Sequence, residues 1–138
     1  MFERLLVAID RSESADRVIA ATKELAGLGK AEVWVLHLRE REVLGRSRPE
    51  SPEPEEDAMG AINRSVTELQ AAGINAHGQV RETLFGQAAR EIVADADEVD
   101  AGVIVMGSRG RSDLAGLVLG SVAHKVIHLS KRPVLVVQ

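Results

Sequence analysis

Leu5-Leu6-Val7-Ala8-Ile9, Val33-Trp34-Val35-Leu36-His37-Leu38, Val103-Ile104-Val105-Met106 and Val134-Leu135-Val136-Val137 are short runs in which nearly every residue is apolar. A half-buried strand alternates; a run apolar on both faces predicts a strand covered from both sides. Ile74 to Val80 has polar residues interleaved and predicts a strand near a sheet edge. Between these runs the period changes to that of a helix. Val18, Ala21, Leu25 and Leu28 form one stripe, and Met59, Ile62, Val66 and Leu69 another that ends at a Gly73 cap. Phe85, Ala88, Ile92 and Ala96 form a third; Val122, Val126 and Leu129, stopped by Pro133, form a fourth. Strands alternating with amphipathic helices predict an α/β fold, a parallel sheet with helices on both faces.

One stretch breaks the rhythm. Gly45 to Asp57 contains Pro49, Pro52 and Pro54 among Ser and Glu residues. Missing proline N–H groups and fixed φ angles suit neither helix nor ladder, so an exposed loop is expected after the second strand. Glu55, Glu56 and Asp57 would then open the next helix, where its dipole favours negative charge. With 138 residues and no internal repeat or boundary signal, a single domain over residues 1–138 is expected.

Composition narrows the function classes. Trp34 and two Phe are the whole aromatic complement, with no Tyr, so the core is built from aliphatic residues and there is no platform for stacking nucleic-acid bases. A net charge of −4 gives no electrostatic case for nucleic acid or an anionic membrane. The absence of cysteine rules out disulfides and thiolate chemistry. The opening Met1-Phe2-Glu3-Arg4 lacks a signal peptide's apolar stretch and no run approaches a membrane span, so the cytoplasm is the expected location.

The chemistry lies after the third continuous run. Gly107-Ser108-Arg109-Gly110 is followed, nine residues later, by Gly120-Ser121. A buried strand, a glycine-punctuated loop and a helix start are the parts of a phosphate site. Glycine lets a phosphate approach the backbone, and the first helical turn offers unpaired N–H groups at the positive end of the dipole. Ser121 would cap the helix or donate to a phosphate oxygen, and Arg109 and Arg111 would supply charge. No lysine precedes Ser121, so this is not a P-loop; nor do the glycines have dinucleotide spacing after the first strand.

The pattern Gly-x2-Gly-x9-Gly-Ser resembles the nucleotide motif of ATP-binding universal stress proteins, and the likeness covers nearly the whole chain. Leu6 to Ser12 resembles that family's first strand and turn, Val33 to Leu38 its second strand, and Pro133 to Val137 its closing strand. The resemblance implies an adenine-nucleotide α-hydrolase-like, Rossmann-like sheet with strand order 3-2-1-4-5. Strands one and four then flank a switch point where ligands bind beyond the carboxyl ends. By the same resemblance Asp10 faces ribose or the metal–phosphate region, and Ala8 and Ile9 line the nucleoside pocket. Leu38, ending strand two, meets adenine through its backbone, with Met106 nearby. Gly107, Gly110, Gly120, Ser121 and Val122 wrap ribose and phosphates, largely through main-chain N–H groups, and Mg²⁺ accompanies the ATP; Arg109 is added to this set from its charge alone. Arg11 departs from the glycine that many members carry there.

Each residue alone leaves a plainer use open: glycines make turns, an Asp after a strand caps helices, arginines solvate loops. His124 and His128 share a helix face but lack further metal ligands, and suit the negative end of the helix dipole. His37 is expected in the core or crevice, and Trp34 in the core. Val134 to Val137, apolar yet at a sheet edge in the implied order, calls for a covering strand; a homodimer through it is expected. The implied activity is nucleotide-dependent regulation in stress response by an unknown protein partner. A slow ATP hydrolase and a nucleotide-free dimeric scaffold are the alternatives. A phosphoacceptor receiver is disfavoured, because Val80-Arg81-Glu82 would follow strand three and Arg11 follows Asp10.

Overall fold

The computed structural model describes residues 2–10, 14–41, 54–108 and 119–138. Its elements alternate as expected: β1 (Arg4–Ile9), α1 (Ser14–Gly29), β2 (Glu32–Arg41), α2 (Glu55–Ala71), β3 (Asn75–Leu84), α3 (Ala88–Glu98), β4 (Val103–Gly107), α4 (Ser121–Leu129) and β5 (Val134–Val137). The sheet has five strands in the order β3-β2-β1-β4-β5, and every pairing is parallel.

The continuous apolar runs follow from two-sided cover. Leu5, Val7, Val33, Val35, Val103 and Val105 point to one face and pack with Val18 and Ile19 of α1 and Ile62 and Leu69 of α2. Leu6, Leu36, Ile104 and Met106 point to the other and pack with Ala89, Ile92 and Ala96 of α3 and Ala123 and Val126 of α4. Successive side chains thus feed two separate cores. At Gly78 of β3 the approach of α2 is so close that a Cβ would collide with Ile62 Cγ2, so the edge strand lies against α2 only without a side chain there.

Several boundaries differ from those expected. Strand two does not end at Leu38, and Val80-Arg81-Glu82 does not follow strand three. β2 and β3 run on together, pairing Leu38↔Arg81, Arg39↔Glu82, Glu40↔Thr83 and Arg41↔Leu84. Glu82 receives both Arg39, at 2.8 Å, and Arg41, at 3.5 Å. Cross-strand charge pairs replace apolar burial there, so hydropathy gives no sign of the extension. Phe85 is outside the third helix, 62% exposed in a turn with Gly86 at φ +86°. Leu28, Met59 and Leu129, placed on helix stripes by period, are exposed. Trp34 is half-buried rather than core, its ring 5.3 Å from that of His77.

Other expectations hold. Gly73 follows α2 with φ +82°, and Glu55, Glu56 and Asp57 form the first turn of α2 behind its N-cap Pro54. Residues 45–53 of the proline-rich stretch lie outside the described residues.

Candidate functional site

β1 lies between β2 and β4, and the connections on its two sides leave across opposite faces. α1, which leads from β1 to β2, packs on the Leu5–Val7 face; α3, which leads into β4, packs on the Leu6–Ile104 face. Diverging connections leave a gap above the carboxyl ends of β1 and β4. Ala8 pairs with Met106, so Asp10 and Gly107, each just past that pair, lie on either side of the gap.

The backbone brings the second half of the glycine motif to the same place. The Ser108 N–H donates to the Val137 carbonyl at 2.9 Å, and the Ser108 carbonyl accepts from the Gly120 N–H at 2.5 Å. The two ends of the intervening loop are therefore clasped together, and α4 starts beside the end of β4. Gly120, not Ser121, caps this helix. Its backbone is extended, at φ −71° and ψ 161°, and its carbonyl takes the first helical bond from His124 N–H at 3.0 Å. Ser121 already has helical geometry, and no side chain among the described residues caps the helix. The exposed Ser121 side chain and the amides of Ser121, Val122 and Ala123 precede that first bond. The first turn of α4 carries no acidic residue, so nothing in it offsets the positive end of the dipole. This arrangement can receive an anion through main-chain N–H groups.

The walls follow from the strands. Ala8, Leu38 and Val122 are partly buried against the core beneath α3 and α4, and Met106 is buried in it. Ile9 is buried in the opposite core, under α1, so what it offers at the strand end is backbone. His37 is 2% exposed, with Nδ1 3.1 Å from the Ile9 carbonyl oxygen. The sequence places it in core or crevice but does not reveal this bond, for which a polar residue inside the run Val33–Leu38 is the available signal. Arg109 and Gly110, with Arg11 and Arg111, lie outside the described residues.

His124 and His128 are exposed on α4, and His128 sits in its last turn as the dipole argument expects. Among the described residues no group of three His, Cys, Asp or Glu could hold a metal ion. A strongly perturbed carboxyl lies on α3 instead. Burial pushes Asp95 up to about 6, against the opposing pull of Arg81 and with the help of Glu91 and Glu98.

The comparisons with known proteins bear on the family and the fold. The model of the universal stress protein family matches residues 1–138. The chain is 33% identical to universal stress protein YxiE of Bacillus subtilis over all of both chains. It is 30% identical to universal stress protein MJ0577 of Methanocaldococcus jannaschii, over all of this chain and 96% of the other. A solved structure of the universal stress protein from Archaeoglobus fulgidus in complex with dAMP superimposes with a TM-score of 0.70 at 27% identity, covering all of both chains. Another, of a universal stress protein in complex with cAMP, has a TM-score of 0.72 at 26% identity, covering 99% of this chain and 97% of the other.

Proposed function

The chain belongs to the universal stress protein family, and from that premise we propose that it binds an adenine nucleotide, ATP with Mg²⁺, in the crevice between β1 and β4. The observation that carries this reading is the clasp between Ser108 and Gly120. It joins the end of β4 to the amino end of α4, on the side of the sheet where β1 ends at Ile9 and Asp10 follows. Two structural neighbours are complexes with adenine nucleotides, dAMP and cAMP, which supports the same ligand class here.

The parts suit that ligand. Amides of Ser121 and Val122 would receive phosphate, with Gly107, Gly110, Gly120 and Arg109 completing the loop around ribose and phosphates. Ala8, Leu38, Met106 and the Ile9 backbone would frame the nucleoside. Mg²⁺ prefers phosphate and carboxylate oxygens. The cation would be held mainly by the phosphates, with Asp10 beside it.

The role proposed is regulation rather than turnover, by one 138-residue domain acting in the cytoplasm. Phosphoryl transfer needs an oriented nucleophile and a base, and Asp10 is assigned to binding. Occupancy can regulate only if the ligand binds two states unequally; the state proposed to change is a homodimer paired through β5. That strand ends the sheet, its residues are only partly buried, and Leu135 is exposed, so a second copy would cover both its edge and its apolar surface.

Native mass spectrometry of the purified protein tests both parts at once. The expected mass is two chains carrying two adenine nucleotides, with calorimetric titration of ATP and Mg²⁺ losing its signal in Gly120→Val. Protein that is empty and takes up no adenine nucleotide would remove the ligand reading and leave the scaffold. A monomer would remove the dimer.

A further inference from the structure

His37 is a polar side chain buried among apolar positions. Val33 and Val35, four and two residues earlier on the same face of β2, are completely buried in the core beneath α1 and α2. The fold thus fills this face with valine until the level at which β1 stops. There it places an imidazole that is 2% exposed. Burying such a group in place of an aliphatic one is costly unless its polar atoms are satisfied.

The partner explains the location. His37 is in register with Ile9, the last residue of β1, and register partners share a face. Its Nδ1 is 3.1 Å from the Ile9 carbonyl oxygen. A carbonyl oxygen only accepts, so Nδ1 carries the proton in this contact. A carbonyl also has two acceptor positions, so the imidazole can add to a ladder bond rather than displace one. The consequence reaches one residue further. The peptide from Ile9 to Asp10 is planar, so holding the Ile9 oxygen also fixes the Asp10 N–H and the direction in which the Asp10 Cα leaves the strand.

We propose that His37 is a positioning residue of the crevice, whose Nδ1–H clamps the Ile9–Asp10 peptide and so aims Asp10 at the ligand. The ligand half of this statement rests on the nucleotide reading above; the clamp does not.

Three variants separate the clamp from simple packing. His37→Leu keeps similar bulk without a donor, His37→Gln carries its amide one bond too far, and His37→Asn puts an N–H where Nδ1 was. Hydrogen exchange of the Asp10 amide by NMR and the calorimetric affinity for ATP with Mg²⁺ are read on each, with the thermal midpoint as a check of folding. Loss of one hydrogen bond of this kind predicts about tenfold faster exchange and about tenfold weaker binding in the Leu and Gln variants. His37→Asn should recover both to within about threefold. Leu and Gln variants that match the wild type, or an Asn variant that fails alongside them, would overturn the clamp. Should His37→Leu not fold, the contrast between Gln and Asn decides. If the wild type binds no nucleotide, the ligand reading falls and the exchange pattern alone decides the role of His37.

Discussion

The strands that floor the crevice and the ribbon that extends past it are both parallel sheet, yet they are held by different forces. β1 and β4 are short and almost wholly apolar, and Leu5, Val7, Ile104 and Val105 are fully buried. Beyond His37, β2 and β3 continue as a two-stranded ribbon of mostly polar residues. Arg39 and Arg41 reach Glu82 across it. Arg81 ties it to α3 through Asp95, at 2.9 Å, and Glu98, at 3.0 Å. Burial fixes the first region without regard to salt or pH. The second depends on charges, most of them half in water, and is the part of the molecule that solution conditions can adjust.

The largest effect should come from the floor. Leu5→Ala removes a completely buried side chain from a core that cannot fully collapse, and should cost about 4 kcal/mol in denaturant unfolding. A cost as small as that of a surface change would mean that the floor is no better packed than the ribbon.

Next in size is the tie at Asp95. Its side chain is 3% exposed, and its Oδ2 meets no hydrogen-bond partner among the described residues, so burial raises its pKa from 3.8 to about 6 despite Arg81. An acid raised in the folded state lends stability that is complete below the unfolded pKa and is lost as pH rises through the folded one. Stability from this group should therefore fall by up to about 3 kcal/mol between pH 4 and pH 7. The difference in stability between wild type and Asp95→Asn, followed across that range, should show the fall and put the variant ahead at neutral pH. A flat difference would show that the carboxyl is solvated.

The smallest effect belongs to the ribbon itself. Glu82 is 45% exposed, so Glu82→Gln should cost below about 1 kcal/mol, and less in high salt. A loss comparable to that of Leu5→Ala would erase the distinction between the two regions.

The same contrast explains what the sequence reveals. Two-sided burial writes itself into hydropathy, so the runs at Leu5–Ile9 and Val103–Met106 give their strands and, through strand–helix alternation, the parallel sheet. The ends of β2 and β3 are held by pairs such as Arg39 with Glu82, whose partners are far apart in sequence and have no period. At the crevice, the glycine spacing identifies the loop after β4 and the start of α4. It does not identify Gly120 as the cap, because both Gly and Ser are good caps and only the backbone angles decide. Nor does it identify the bond from His37 to Ile9, which arises from a register between strands that no local pattern contains.

The strand order also has a consequence for synthesis. β1 emerges from the ribosome before the other strands, yet it ends in the middle of the sheet. One of its edges is taken early by β2, while the other waits for β4, which begins only at Val103. At ordinary elongation rates that wait is roughly ten seconds, during which a bare apolar edge is a template for the wrong strand. A ligand seated across β1 and β4 cannot help the nascent chain through this interval. The proposed site exists only once both strands and the start of α4 have been made, so it joins the first strand synthesised to the last helix.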